Sequence, residues 1–69
     1  MKITTEVAGK VWKIEAKVGA KLAVDEVILI LESMKMEIPV VAPRAGKLLE
    51  IQIKEGDTVK EGDVVAVLE

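Results

Sequence analysis

Cysteine and histidine are both absent from this chain of 69 residues. Their absence excludes disulfides, thiol nucleophiles, thiolate or imidazole metal sites and Ser-His or Cys-His relays. Amines and carboxylates are the side chains left for chemistry. The most unusual placement of an amine is Lys35, which stands between Met34 and Met36, with Glu32 and Glu37 on either side.

The segment of residues 32–37 has ordinary interpretations as well as a functional one. Met34 and Met36 could cap the core with Lys35 in water, or the two glutamates could form ion pairs in a plain turn. A hairpin turn usually carries Gly, Asn or Asp, and a methionine that is exposed can serve as an adaptable contact surface. The residues alone leave these interpretations open.

The sequence repeats itself once. After a shift of 37 residues, residues 9–32 align with residues 46–69 without a gap, and 8 of the 24 positions are identical. Two copies are too few for a solenoid. They predict a single domain over residues 1–69 with a quasi-two-fold axis, in which each half covers the apolar face of the other. The Met-Lys-Met segment lies at the joint of the halves.

Apolar patterning predicts strands throughout. Apolar residues alternate with charged ones over residues 12–18 and 49–53, which indicates strands with one buried face. Residues 27–31 and 64–68 are continuous apolar runs that are typical of buried strands. No helical spacing is sustained. We therefore predict an all-β fold of six to eight short strands in a flattened barrel or sandwich.

Turn formers separate these strands. Gly19 and Gly56 mark one pair of turns, and Asp25 and Gly62 mark another, because Gly and Asp tolerate the positive φ that such turns often need. Pro39 lacks a backbone donor, so its strand should have no ladder partner on that side.

Composition excludes several kinds of partner. Trp12 is the only aromatic residue, so we expect it in the core, and no platform remains for stacking single-stranded nucleic acid. The net charge of −2 argues against binding to a phosphate backbone. The longest apolar run, residues 27–31, is too short for a bilayer, and the N-terminus carries no signal-like run. We expect a soluble, cytoplasmic protein with no nucleic-acid or membrane partner.

Three segments resemble motifs of the biotinyl/lipoyl attachment domain family. Residues 32–36 read Glu-Ser-Met-Lys-Met, which is similar to the biotin attachment motif Glu-Ala-Met-Lys-Met. Residues 42–46 resemble the family's Ala-Pro-x-x-Gly turn, and residues 59–63 its Val-x-x-Gly-Asp turn. The first turn, residues 6–9, departs from the Pro-Met-x-Gly of many biotinyl domains.

The resemblance covers nearly the whole chain and is greatest to small free-standing biotin/lipoyl attachment proteins. It implies a flattened barrel of two four-stranded antiparallel sheets related by a quasi-two-fold axis. The modified lysine would lie on a β-hairpin, in agreement with the position of the segment between the two repeats.

The resemblance also implies a carrier and not an enzyme, with no catalytic residue and no metal site. Lys35 would be biotinylated by a biotin protein ligase, which would supply the base, since an exposed lysine is protonated at neutral pH. Met34 and Met36 would set ligase recognition and shape the hairpin, while Glu32 and Glu37 could add charge complementarity. The biotin would carry CO₂ from a biotin carboxylase to a carboxyltransferase.

Other functions remain open. A lipoyl carrier would use the same fold and the same lysine, with partners among the 2-oxoacid dehydrogenases, and a small attachment protein could accept both cofactors. Lipoyl domains typically have Asp before the lysine and Ala or Val after it, so methionine on both sides favours biotin. A third possibility is an unmodified binding module that docks through the hairpin. We expect a monomer that associates transiently with its partners.

Overall fold

The computed structural model describes residues 1–69 as eight β-strands without a helix. The strands are β1 (Lys2–Thr4), β2 (Gly9–Ile14), β3 (Lys21–Leu22), β4 (Val27–Ser33), β5 (Met36–Val41), β6 (Gly46–Ile51), β7 (Thr58–Val59) and β8 (Val64–Leu68). They form two four-stranded antiparallel sheets, ordered β1-β8-β6-β3 and β5-β4-β2-β7. The all-β prediction is confirmed. No helix of a length and apolarity that could cross a membrane is present.

The two sheets correspond to each other under the shift of 37 residues. This shift moves β2, β3 and β4 onto β6, β7 and β8. In one sheet β2 pairs with β4 and β7, and in the other β6 pairs with β8 and β3. Each half of the chain therefore gives its shortest strand to the sheet of the other half. The halves cannot separate without breaking hydrogen bonds in both sheets.

Twelve buried apolar side chains fill the space between the sheets. They are Ile3, Val11, Leu22, Ile28, Leu29, Leu31, Ala42, Leu48, Val59, Val65, Ala66 and Leu68. Burying a Val, Leu or Ile side chain stabilises the folded state by about 1.5–3 kcal/mol. Three of the twelve belong to β4, the strand that leads into the Met-Lys-Met segment, so this strand is firmly anchored.

Trp12 is not in the core, and our expectation for it was wrong. Its side chain is 51% exposed. A β-bulge is the reason: Val11 is paired with Leu31 and Lys13 with Ile30, which leaves residue 12 without a partner. Because side chains alternate between the two faces of a strand, one extra residue reverses the alternation. Val11 takes the buried position, and Trp12 faces solvent.

The same bulge occurs in the second half of the chain. Leu48 is paired with Leu68 and Glu50 with Val67, so Leu49 is the unpaired residue, and its side chain is 45% exposed. Leu49 is the position onto which the 37-residue shift moves Trp12. The bulge is thus a property of the repeat and not an accident at the tryptophan.

The predicted turns and edge strand are confirmed. Gly19 and Gly56 both have φ of 94°, and Asp25 and Gly62, which also correspond under the shift, have φ of 66° and 90°. β5, which contains Pro39, is an edge strand that pairs only with β4. A proline there removes no bond from the sheet.

Replacing Trp12 should therefore cost little stability. We expect Trp12→Ala to lower the free energy of unfolding by about 1 kcal/mol, because the side chain is half exposed. Leu48→Ala, which empties a fully buried site, should cost about 2–5 kcal/mol. Urea unfolding followed by far-UV circular dichroism measures both. A loss of about 3 kcal/mol or more in Trp12→Ala would show instead that the tryptophan is buried in the core.

Candidate functional site

The Met-Lys-Met segment forms the tip of the hairpin between β4 and β5. Ser33 and Met36 are the last paired residues, so Met34 and Lys35 alone make the connection. Both have positive φ, 51° at Met34 and 64° at Lys35. Positive φ at both central residues is the mark of a type I′ turn, whose twist matches that of the flanking strands. Lys35 is therefore at the apex of the tightest common hairpin.

This turn is made of residues that do not favour it. Type I′ turns prefer Asn-Gly or Asp-Gly, whereas methionine and lysine have long side chains that make no local hydrogen bond to offset the left-handed conformation. Such strain costs of the order of 1–3 kcal/mol per residue and persists only where the surroundings impose it. Here the register of β4 and β5 imposes it.

The interpretation of the methionines as caps of the core is wrong. The side chains of Met34 and Met36 are 92% and 61% exposed, and Lys35 is exposed between them. Two thioethers and an amine thus project from the domain. Removing apolar side chains from water is favourable, so this surface favours contact with another protein.

The interpretation as an ion-paired turn is also wrong. Glu32 and Glu37 are exposed and directly opposite each other on β4 and β5. The one ion pair in the chain joins Lys13 to Glu15, at 3.4 Å. Like charges opposite each other weaken a hairpin slightly. Two free carboxylates therefore stand at the base of the tip, an arrangement that stability alone does not favour.

The neighbouring strand β2 lies very close to the base of the hairpin. Lys10 of β2 is paired with Glu32, and a Cβ added at Gly9 would come within 2.8 Å of the Glu32 backbone oxygen. Only glycine allows β2 to approach this closely. The base of the hairpin is thus supported on one side by β2, while the turn itself extends beyond β2 into solvent.

A shallow groove lies beside this base, lined by Lys10, Val11, Trp12, Glu32 and Gly56. Lys10 and Trp12 were not predicted as site residues from the sequence. A signal for Trp12 was present, because the apolar pair Val11-Trp12 and its counterpart Leu48-Leu49 break the alternation at the same position of both repeats.

The site offers an amine and little other chemistry. No side chain hydrogen-bonds to Lys35, and no cluster of Asp and Glu that could hold a metal ion is present. The tip is a protrusion rather than a cleft, and Lys35 lines neither the depression beside β1 and β5 nor the groove beside Trp12. Such a geometry suits a lysine that enters the pocket of another protein.

Known proteins resemble this chain in sequence and in fold. Residues 1–68 match the family model described as "Biotin-requiring enzyme". The chain is 47% identical over 68 residues to the biotin/lipoyl attachment protein of Bacillus subtilis (strain 168), covering 99% of this chain and 93% of that protein.

Two further relatives are much larger. A dihydrolipoyllysine-residue acetyltransferase component of the pyruvate dehydrogenase complex of Pseudomonas aeruginosa is 41% identical over 61 residues, which are 88% of this chain and 11% of that protein. The crystal structure of Kluyveromyces lactis urea carboxylase superposes with a TM-score of 0.95 at 38% identity, over 100% of this chain and 6% of that chain. The chain thus spans nearly all of one relative and a small part of the others.

Relieving the strain of the turn should stabilise the domain. We expect Met34→Asn to raise the free energy of unfolding by about 1 kcal/mol, because Asn favours the left-handed conformation. The matched control is Met36→Asn, the same chemical change at a residue of β5 without positive φ. Urea unfolding followed by Trp12 fluorescence measures both variants. An equal gain in both, or none in either, would show that the turn is not strained.

Proposed function

This chain belongs to the family of biotin/lipoyl attachment domains, and on that basis we propose that it is a biotin carboxyl carrier with Lys35 as the attachment site. The observation that carries the proposal is the exposed amine at the apex of a fixed two-residue turn between two exposed methionines. We also propose that residues 1–69 act as one carrier unit without catalytic activity of their own.

The methionines are the reason for choosing biotin. Met34 and Met36 give the turn the sequence of a biotin attachment motif, and a resemblance to urea carboxylase extends over the whole fold. A lipoyl carrier is the second candidate, because the relative from the pyruvate dehydrogenase complex aligns over most of the chain at similar identity. Both functions use the same lysine, so the choice between them rests on which ligase accepts the turn.

Attachment needs a neutral amine and a base. In the proposed reaction with a biotin protein ligase, Lys35 Nζ attacks the carbonyl of biotinyl-adenylate, the new bond is an amide, and AMP leaves. The chain provides no carboxylate in contact with Nζ, since its one ion pair is elsewhere. The ligase would therefore accept the proton. Loss of the positive charge of Lys35 changes the net charge of −2 to −3.

The turn and its carboxylates would then serve recognition. Met34 and Met36 would fill apolar pockets of the ligase, and Glu32 and Glu37 would steer the tip toward a basic surface. Since both methionines lie within one residue of Lys35, their burial by the ligase would fix the direction of the amine.

In the loaded carrier the domain itself does no bond chemistry. Bound biotin supplies a ureido nitrogen that accepts and releases CO₂. What this chain contributes is a rigid protrusion that can enter a biotin carboxylase and then a carboxyltransferase. Tethering of this kind raises the effective concentration to about the millimolar range when the span between the sites fits.

The proposal predicts a single modification at Lys35. We expect the chain incubated with a biotin protein ligase, ATP and biotin to gain the mass of one biotinyl group, because Lys35 alone among its nine lysines lies at the tip. Intact-mass spectrometry measures the gain. The matched control is Lys35→Arg, which keeps the charge and should stay unmodified.

Other outcomes would separate the alternatives. A gain with a lipoyl ligase but not with the biotin ligase would make the chain a lipoyl carrier. A gain that persists in Lys35→Arg would overturn the assignment of the site. No gain with either ligase would leave the hairpin as an unmodified docking surface and contradict the proposal.

A further inference from the structure

The groove beside Trp12 is separate from the turn that carries Lys35. Its lining combines an indole that is half exposed, an ammonium group from Lys10 and a carboxylate from Glu32. Trp12 contributes little to the stability of the fold because half of its side chain is exposed, and it is the only aromatic residue of the chain. An aromatic face next to one donor and one acceptor is a common arrangement for binding a flat polar ring.

The groove lies within reach of a biotinyl group attached to Lys35. Trp12 is level with Leu31 and Ile30, three to four residues below the turn. This is roughly 10–14 Å at about 3.4 Å per residue, and β2 lies one strand spacing to the side of β4. A biotinyl-lysine has about eleven bonds between Cα and the ring, and at about 1.5 Å per bond a zigzag chain advances roughly 14 Å. The ring can therefore arrive at the indole when the arm folds back along the hairpin.

We propose that the ring of biotin attached to Lys35 docks in the groove formed by Trp12, Lys10 and Glu32, which is a resting site for the arm. This inference rests on the proposed function. The ring would lie against the indole, its ureido carbonyl would accept a hydrogen bond from the Lys10 ammonium, and a ureido N–H would donate to the Glu32 carboxylate.

The same chemistry makes the groove selective. A ureido ring has a carbonyl acceptor and two N–H donors, whereas the dithiolane ring of lipoate has neither. Lipoate in the groove would leave Lys10 and Glu32 without the hydrogen bonds that biotin offers them. The resting site thus distinguishes the two cofactors after attachment, at residues outside the Met-Lys-Met turn.

The quasi-two-fold axis provides an internal comparison. The shift of 37 residues moves Lys10, Trp12 and Glu32 onto Lys47, Leu49 and Glu69. The second sheet therefore keeps both charged residues but has leucine in place of the indole. At the equivalent end of the second sheet, β8 pairs with β1, and no turn with a lysine joins these two strands. Leu49 is the natural control for Trp12.

Trp12 fluorescence reports on docking directly, because the chain has one Trp and no Tyr. Domains whose single biotinylation or lipoylation has been verified by mass are compared with the unmodified chain. We expect acrylamide quenching of the biotinylated form to fall about twofold, since the ring would cover the exposed face of the indole. Lys10→Met should weaken this protection, and the lipoylated form should lack it. Equal quenching in all forms would overturn the resting site.

Capture by avidin is a second readout that needs no carboxylase. A docked ring must leave the groove before avidin can bind it, so capture slows in proportion to the docked fraction. We expect biotinylated Trp12→Leu to be captured about twofold faster than the parent, and Leu49→Ala at the parent rate. Equal rates for Trp12→Leu and the parent would contradict docking at Trp12. A failure of biotinylation itself would appear earlier, in the mass, and would count against the proposed function instead.

Discussion

The two-residue turn of Met34 and Lys35 is the constraint on which the rest of the site depends. Both residues are in the left-handed region, without the glycine or asparagine that would relieve them. The conformation persists because β4 and β5 are paired in register up to Ser33 and Met36. In turn, β4 is held by Ile28, Leu29 and Leu31 in the core. The direction of the amine is thus set by packing several residues away from it.

The quasi-two-fold arrangement makes that packing possible in so short a chain. A domain of this size buries only about 60% of its unfolded surface, so it has little stability to spare for strain at the tip. Exchange of β3 and β7 between the halves gives each sheet strands from both repeats. Only one of the two equivalent ends carries a closed hairpin, because β4 and β5 are consecutive strands, whereas their counterparts β8 and β1 are not. The fold therefore has one tip.

The sequence predicted those features that depend on short-range patterns. The period of the repeat, the turns at Gly19 and Gly56 and the extended strands followed from residue spacing. The position of Trp12 did not, because the neighbouring Val11 and Trp12 are both apolar and alternation cannot show which faces inward when a bulge intervenes. The backbone of Met34 and Lys35 was also beyond prediction, since neither residue favours positive φ and only the register of the strands imposes it.

Separating the geometry of the turn from its sequence tests the central claim most directly. One glycine inserted after Ser33 and one after Met36 would keep Met-Lys-Met but loosen the turn, and the matched control carries two glycines in the turn at Gly19. The measurement is kcat/KM for biotinylation by a biotin protein ligase. If the fixed turn presents Lys35, the tip insertion lowers kcat/KM by about tenfold or more, while the control retains the parent value. An unchanged kcat/KM in the tip variant would show that the tripeptide alone is recognised, and would contradict the account.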